Sequence, residues 1–123
     1  MYNGYETKPS KLVLETQAEK FMKVNLKENE LVIKATNSIH LNDQDKINGK
    51  LILTNQRIYF KTVTEKENKF NLEILFNQIK EIFYFKNGVF SPKGITLKTH
   101  QGGELQFTMK DRDAWGIMIN KMY

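Results

Sequence analysis

From residue 30 onwards the chain is a series of short apolar runs separated by turn-forming residues. The runs cover residues 30–35, 49–54, 57–62, 70–75, 80–85, 94–99 and 104–109. Their length and spacing are typical of strands in a β-barrel or sandwich, and not of alternating strands and helices. Gly102 and Gly103 separate the last two runs and predict a hairpin, because glycine reaches the positive φ of tight turns without steric cost.

The apolar period changes near the C-terminus. One helical face, at spacings i, i+3, i+4 and i+7, carries Trp115, Met118, Ile119 and Met122. Residues 111–122 are therefore predicted to form an amphipathic helix, with Asp111 and Asp113 placed to cap or favour its N-terminus. A seven-stranded sheet that closes on itself, with this helix across one mouth, removes free strand edges and buries Trp115.

The N-terminal part is less regular. Residues 1–10 are polar, and we expect them to be flexible. Helical spacing in the next segment is shown by Leu14, Ala18, Phe21 and Met22. Residues 11–15 alone also fit a strand, but we favour a helical segment over residues 11–25. No linker interrupts the chain after residue 10, so residues 11–123 are predicted to form one domain.

One hairpin resembles a known signature. Residues 49–60 read Gly-Lys-Leu-Ile-Leu-Thr-Asn-Gln-Arg-Ile-Tyr-Phe and resemble the signature hairpin of GRAM domains, a branch of the pleckstrin-homology-like (PH-like) superfamily. Residues 72–82 and 94–107 are similar to the elements that follow it, and Trp115 lies where the capping helix carries an aromatic anchor. The resemblance covers about residues 28–122. It implies a PH-like barrel of two roughly orthogonal antiparallel sheets, capped by the C-terminal helix.

The signature has a structural explanation. Alternation along two strands sends four apolar side chains to the same side, namely Leu51, Leu53, Ile58 and Phe60. Thr54 and Asn55 favour a turn through local side-chain hydrogen bonds. Arg57 is expected to hold this turn or a neighbouring carboxylate. The resemblance therefore identifies a fold and carries no catalytic residue with it.

Residue types exclude most catalytic chemistry. The chain has no cysteine, which excludes disulfides, thiol nucleophiles and thiolate metal sites and suits a reducing compartment. No hydrolase, zinc-protease or phosphate-loop motif occurs, so we expect no enzyme and no cofactor. Asp43 and Asp45 suggest a calcium loop, but Ile47 occupies the next ligand position. His40 and His100 have no placed carboxylate, so no metal site is predicted.

Charge and hydropathy indicate a location. The net charge is +5, which favours anionic partners such as a membrane surface or nucleic acid, although a lysine-rich surface also serves solubility. The N-terminus has no leader-like apolar run, and no stretch approaches the roughly 20 apolar residues of a membrane span. We expect a cytoplasmic protein that is able to act peripherally at a membrane.

Two surfaces are candidate binding sites. Some members of the superfamily cradle phosphates with basic residues around the loop between the first two strands. The candidate ligand-binding residues here are Lys46, Lys50, Lys66 and Lys69. Asp43 and Asp45 in the same region, and the absence of arginine forks, weigh against a specific headgroup site. The second surface is an apolar tip flanked by lysines, formed by Lys86, Val89, Phe90 and Lys93, which suits a partner or membrane contact.

These observations predict a non-enzymatic binding or scaffold module, with a protein partner ahead of an anionic lipid. The alternative is single-stranded nucleic acid stacked on aromatic residues beside lysines, the candidates being Tyr59, Phe83, Tyr84, Phe85 and Phe90. Alternation along residues 82–85 leaves open which aromatic side chains are buried. A homodimer formed through an exposed strand edge or the tip at Val89 and Phe90 is a further possibility.

Overall fold

The computed structural model describes residues 24–86 and 93–123. These residues form seven strands followed by one α-helix, namely β1 (Val32–Asn42), β2 (Asp45–Thr54), β3 (Arg57–Thr62), β4 (Leu72–Leu75), β5 (Ile79–Lys86), β6 (Lys93–Thr99), β7 (Glu104–Thr108) and α1 (Arg112–Asn120). Two short 3₁₀ helices, Glu65–Phe70 and Phe76–Gln78, precede and follow β4. The predicted flexible end at residues 1–10, most of the predicted helical segment at 11–25, and the tip at Val89 and Phe90 lie outside the described residues.

The number and order of the strands confirm the sequence prediction, but the bounds of three strands were wrong by two residues or more. The first predicted strand, residues 30–35, is in fact β1, which continues to Asn42 because it pairs with β2 along its whole length. The second predicted strand, residues 49–54, is β2, which already starts at Asp45 opposite Asn42. The predicted strand at 70–75 starts as a 3₁₀ helix, and only Leu72–Leu75 pairs with β3. Cross-strand pairing, which a single stretch of sequence does not reveal, sets these bounds.

All strand pairs are antiparallel, and the ladders join the strands in the order β4-β3-β2-β1-β7-β6-β5. The β1–β7 ladder is short, since it consists of His40 opposite Phe107 and Leu41 opposite Gln106. Among the described residues no ladder joins β4 to β5, because the 3₁₀ helix Phe76–Gln78 turns the chain between them. The described strands are therefore one open sheet, and the predicted closed barrel of two orthogonal sheets is not confirmed.

The core lies on one face of this sheet, which we call the inner face. In the signature hairpin, Leu51 pairs with Phe60 and Leu53 with Ile58, and all four side chains are fully buried. Trp115 has 0% exposure and belongs to the same core cluster, which confirms the prediction that α1 buries its tryptophan against the sheet. Burial of side chains this large accounts for most of the hydrophobic stabilisation of the fold.

Helix α1 meets the sheet at close range. A Cβ atom on Gly116 would lie 2.1 Å from the hydroxyl oxygen of Tyr84, so a larger residue at this position would require the Tyr84 side chain to move. Tyr84 thus lies beside the helix but is 46% exposed, and Phe83 on the other face is 44% exposed. Neither of these two aromatic side chains is buried, and Ile82 and Phe85 are partly buried.

Asp111 occupies the N-cap position, as predicted, but does not cap the helix through its side chain. Its carboxylate instead pairs with Lys34 Nζ at 2.7 Å. Asp113 lies in the first turn as predicted, where its charge favours the helix N-terminus. The Lys34–Asp111 pair ties the first half of β1 to the helix.

Candidate binding face

The face of β1–β3 opposite the core carries the predicted ligand-binding lysines of β2. Because Ile47 and Leu51 point to the core, alternation places Lys46 and Lys50 on this outer face. Lys61 of β3 lies directly opposite Lys50 in the ladder, so the two side chains are neighbours on the same face. The outer face thus presents three lysines at one end of the β2–β3 hairpin.

The two remaining predicted lysines reach the same end of the sheet by another route. Lys66 and Lys69 lie on the 3₁₀ helix Glu65–Phe70, which follows β3 directly. Asn68 Oδ1 of this helix accepts hydrogen bonds from Lys61 Nζ at 3.3 Å and from the buried Thr62 hydroxyl at 3.4 Å, and Phe70 packs against the core. We call the five residues Lys46, Lys50, Lys61, Lys66 and Lys69 the lysine cluster.

Sequence reasoning missed Lys61, although a signal was present. The Thr-Asn-Gln turn sets the register of the hairpin, and counting outward from it places residue 61 opposite Lys50. The missed residue was the closest basic neighbour of a predicted one.

The lysine cluster is not neutralised within the described part of the chain. Other lysines pair with carboxylates: Lys27 Nζ lies 3.0 Å from Glu73 and Lys34 Nζ 2.7 Å from Asp111. No ion pair joins a lysine of the cluster to a carboxylate whose side chain the structure describes, a set that does not include Glu65 and Glu67. Like charges directly opposite each other in a ladder are unfavourable, so Lys50 and Lys61 gain when an anion approaches.

The β1–β2 connection gives the lysine cluster no enclosing loop. Asn42 and Asp45 form the last pair of the ladder, which leaves only Asp43 and Gln44 in the turn. Asp43 adopts the left-handed conformation with φ of 56°. A turn this tight has no spare backbone with which to surround a ligand, so the cluster lies on an open surface.

The second predicted surface is on other strands of the sheet. Lys86 and Lys93 are exposed and face each other where β5 and β6 leave the sheet. In the strand order, β1 and β7 lie between these two strands and the β2–β3 hairpin. The structure therefore separates the two predicted surfaces.

At the end where β1 begins, the signature turn forms a buried ion-pair network. The guanidinium of Arg57 donates to Glu30 from Nε at 2.8 Å and from Nη2 at 3.1 Å, and to Glu73 from Nη1 at 2.8 Å. Nη2 also donates to the carbonyl oxygen of Asn25 at 3.0 Å. The prediction that Arg57 holds a neighbouring carboxylate is confirmed.

The pKa of Glu30 reflects this network. Burial by itself would raise the pKa, but hydrogen bonds from Arg57, the Lys27 N–H and the Thr54 hydroxyl outweigh it and lower the pKa to about 2. The pKa of Arg57 is raised, chiefly by its hydrogen bond to Glu30. The pKa of Glu73 is lowered by hydrogen bonds from Lys27 and Arg57. All of these groups are therefore charged at neutral pH.

The other signature residues hold the segment that leads into β1. Asn55 Oδ1 accepts from the Leu31 N–H at 2.8 Å, and its Nδ2 donates to the Asn29 carbonyl at 3.1 Å. Gln56 Nε2 donates to the Glu28 carbonyl at 2.8 Å. We call this arrangement of residues 54–57 around residues 25–31 the clasp. Its residues are engaged with the chain itself, which supports a structural role for the signature.

His40 is buried at the seam between β1 and β7. Its Nδ1 donates to the carbonyl oxygen of Gln106 at 3.0 Å, and its ring stacks on Phe107 with centroids 4.8 Å apart. Burial lowers the pKa of His40, against a smaller opposite effect of the hydrogen bond to Gln106. Among the described residues no three His, Asp or Glu side chains cluster in a way that fits a metal ion.

The described helices are all too short or too polar to cross a membrane.

Two solved structures show which class of fold this is. The C-terminal domain of an unknown protein from Leishmania infantum superposes with a TM-score of 0.66 at 20% identity, covering 77% of this chain and 86% of that one. The Vps36 N-terminal PH domain superposes with a TM-score of 0.63 at 16% identity, covering 82% and 87%. The fold is therefore PH-like.

Within this class the family follows from the sequence match. The GRAM domain model matches residues 15–122, so the chain belongs to the GRAM domain family, as the signature hairpin predicted. No curated protein sequence matches the chain. GRAM and PH-like domains are in general non-enzymatic modules that bind proteins or lipids.

Proposed function

We propose that this GRAM domain is a non-enzymatic binding module whose lysine cluster receives an acidic segment of a protein partner. The observation that carries the proposal is the pair Lys50 and Lys61, which are partly exposed and lie opposite each other on the outer face with no ion pair to a described carboxylate side chain. A strand face with unneutralised positive charge favours an extended anionic partner through electrostatic complementarity.

An acidic protein ranks ahead of a lipid headgroup for two reasons. The two-residue turn at Asp43 and Gln44 leaves no loop to enclose a phosphate. Both arginines are also engaged, since Arg57 is in the clasp and Arg112 Nη1 donates to the Phe85 carbonyl at 2.7 Å. Recognition of a phosphate group favours arginine forks, whereas lysines act as point charges for distributed carboxylates. An anionic membrane surface, touched peripherally from the cytoplasm, is the competing occupant.

The proposal is tested with two probes and two matched variants. The probes are a fluorescein-labelled glutamate-rich peptide, followed by anisotropy, and vesicles of phosphatidylcholine with and without phosphatidylserine, followed by co-sedimentation. The first variant is Lys50→Glu with Lys61→Glu. The control is Lys86→Glu with Lys93→Glu, which has the same charge change at another cross-strand pair.

We expect the first variant to bind the peptide at least tenfold more weakly at physiological salt, because each lysine near an anionic surface contributes about 1 kcal/mol. The control should lose threefold or less. If the control loses as much as the first variant, the attraction comes from net charge or from the surface at Lys86 and Lys93, and the proposal is wrong. Binding of phosphatidylserine vesicles but not of the peptide would assign the lysine cluster to a membrane.

A further inference from the structure

An apolar patch borders the lysine cluster on the outer face. Ile52 points away from the core and does not belong to the core cluster, yet only 6% of it is exposed. Its cross-strand neighbours are Ala35 and Tyr59. At the adjoining start of β1, Leu31 and Val32 are 69% and 48% exposed. We call Leu31, Val32, Ala35, Ile52 and Tyr59 the outer patch.

The clasp delivers the N-terminal chain to this patch. Arg57 lies on the outer face of β3, where its guanidinium carbon is 5.0 Å from the centre of the Tyr59 ring. The same guanidinium binds the Asn25 carbonyl at 3.0 Å. Whatever precedes Val24 therefore starts beside Tyr59, one strand away from Ile52.

The preceding segment, residues 11–23, carries an apolar set of side chains, two glutamates and three lysines, Lys11, Lys20 and Lys23. Residues 11–23 place four apolar side chains on one helical face, namely Leu14, Ala18, Phe21 and Met22. Glu15 and Glu19, one turn apart, border this face. A helix of this length spans about 20 Å, and four strands spaced by about 4.8 Å are crossed within that length. The GRAM match begins at residue 15, so the segment overlaps the conserved domain.

We infer that residues 11–23 dock as an amphipathic helix on the outer patch, covering Ile52 and placing Glu15 and Glu19 next to Lys50 and Lys61. The occupant of this patch is thus a segment of the same chain. A second consequence rests on the proposed function: the docked glutamates compete with an acidic partner for the lysine cluster.

The docking is tested by cross-linking, which needs no ligand. The chain has no cysteine, so introduced thiols are unique. Ala18→Cys with Ala35→Cys is treated with a short bis-maleimide, and Ala18→Cys with Ala114→Cys on α1 is the matched control. We expect an intramolecular cross-link at monomer mass in the first protein, at least five times its yield in the control. Near-UV circular dichroism of Trp115 verifies that each variant is folded.

Adding Phe21→Asp to the first pair should reduce the cross-link at least fivefold while the Trp115 signal is retained. Leu14→Asp serves the same purpose if Phe21→Asp fails to fold. Equal yields in the first pair and the control, or a cross-link found only at dimer mass, would overturn the docking. The dimer-mass result would assign the patch to a second copy of the chain.

The competition is measured separately with the glutamate-rich peptide. Replacing Glu15→Gln and Glu19→Gln should tighten peptide binding at least threefold, because the internal anions are removed. If the intramolecular cross-link forms but the Glu15→Gln, Glu19→Gln variant binds the peptide as the wild type does, the docking is supported and the competition is wrong. If neither the wild type nor the variant binds the peptide, the proposed function is wrong, and so is the competition. The cross-linking experiment still tests the docking independently.

Discussion

The two ends of the β2–β3 hairpin differ in the groups that surround their positively charged side chains. At the turn, Arg57 is buried and bound to two carboxylates, Glu30 and Glu73. At the other end, Lys50 and Lys61 lie opposite each other without an ion pair to a described carboxylate side chain, and Lys61 Nζ donates only to the neutral Asn68 Oδ1. Both ends belong to the same two β-strands. The difference therefore arises from the groups around each side chain and not from the backbone.

The comparison shows what a buried charge and an exposed charge each contribute to folding and binding. A buried charge is tolerated only with hydrogen-bonded partners, so the clasp orders the chain around it. An exposed charge is solvated and adds little to stability, so it is available to an outside partner. The clasp is therefore expected to affect folding, and the lysine cluster to affect binding. The following predictions test this division from the largest expected effect to the smallest.

Replacing Arg57→Leu should destabilise the fold most. Glu30, whose side chain is 0% exposed, would keep a buried charge without its partner, at a cost of about 3–5 kcal/mol. The free energy of unfolding is measured by urea denaturation, followed by fluorescence of the single tryptophan, Trp115. Lys61→Leu, at the other end of the β2–β3 hairpin, is the control and should change the free energy of unfolding by less than about 0.5 kcal/mol. Equal losses in the two variants would contradict the comparison.

Acidification should destabilise the clasp and the seam in separate pH ranges. The pKa of His40 is lowered from 6.5, so the stability it contributes is present above 6.5 and lost as the pH falls through its folded value. The pKa of Glu30 is lowered from 4.5 to about 2, so its contribution is lost between these values.

Urea denaturation of variants at a series of pH values separates the two groups. His40→Gln should flatten the stability profile just below pH 6.5, and Glu30→Gln should flatten it below pH 4.5. Stability of the wild type that rises on acidification below 6.5 would show that His40 gains a partner when protonated, contrary to its buried position.

Asn55→Ala should cost about 1–3 kcal/mol, because the Leu31 N–H and the Asn29 carbonyl lose their hydrogen-bond partner. Hydrogen exchange gives a sharper reading than denaturation, since the Leu31 amide should lose protection while the β6 amides keep theirs. Asn77→Ala, at an exposed position of a 3₁₀ helix, is the control. Unchanged protection of the Leu31 amide in the Asn55→Ala variant would show that Asn55 does not hold the clasp together.

Lys50→Gln should have the smallest effect on folding, and its sign distinguishes an unpaired Lys50 from one that the docked Glu15 and Glu19 neutralise. If Lys50 and Lys61 only repel each other, removing one of the two charges raises the free energy of unfolding by a few tenths of a kcal/mol at low salt. The gain should disappear in high salt because screening already weakens the repulsion. A loss of stability instead would indicate that Lys50 has a structural partner.

Much of the fold was predictable from the sequence, and the reasons are local. Alternation identified Leu51, Leu53, Ile58 and Phe60 as one buried set, and the 3.6-residue period identified the face of α1 that carries Trp115. The extent of β1 was not predictable, because its polar second half becomes a strand only through pairing with β2. The open junction between β4 and β5 also depends on contacts far apart in the chain.

The candidate site, like the fold, was predictable from the sequence only in part. The sequence alone determined that the chain is a GRAM-type β protein, that its charge is carried mainly by lysine, and that a signature turn precedes Arg57, since these follow from residue types and short-range periodicity. Only the tertiary structure decided that Lys61 stands opposite Lys50, and that Glu30 and Glu73 neutralise Arg57. The physical reason is that the net effect of a charge depends on which groups surround it, and these groups come from distant parts of the chain.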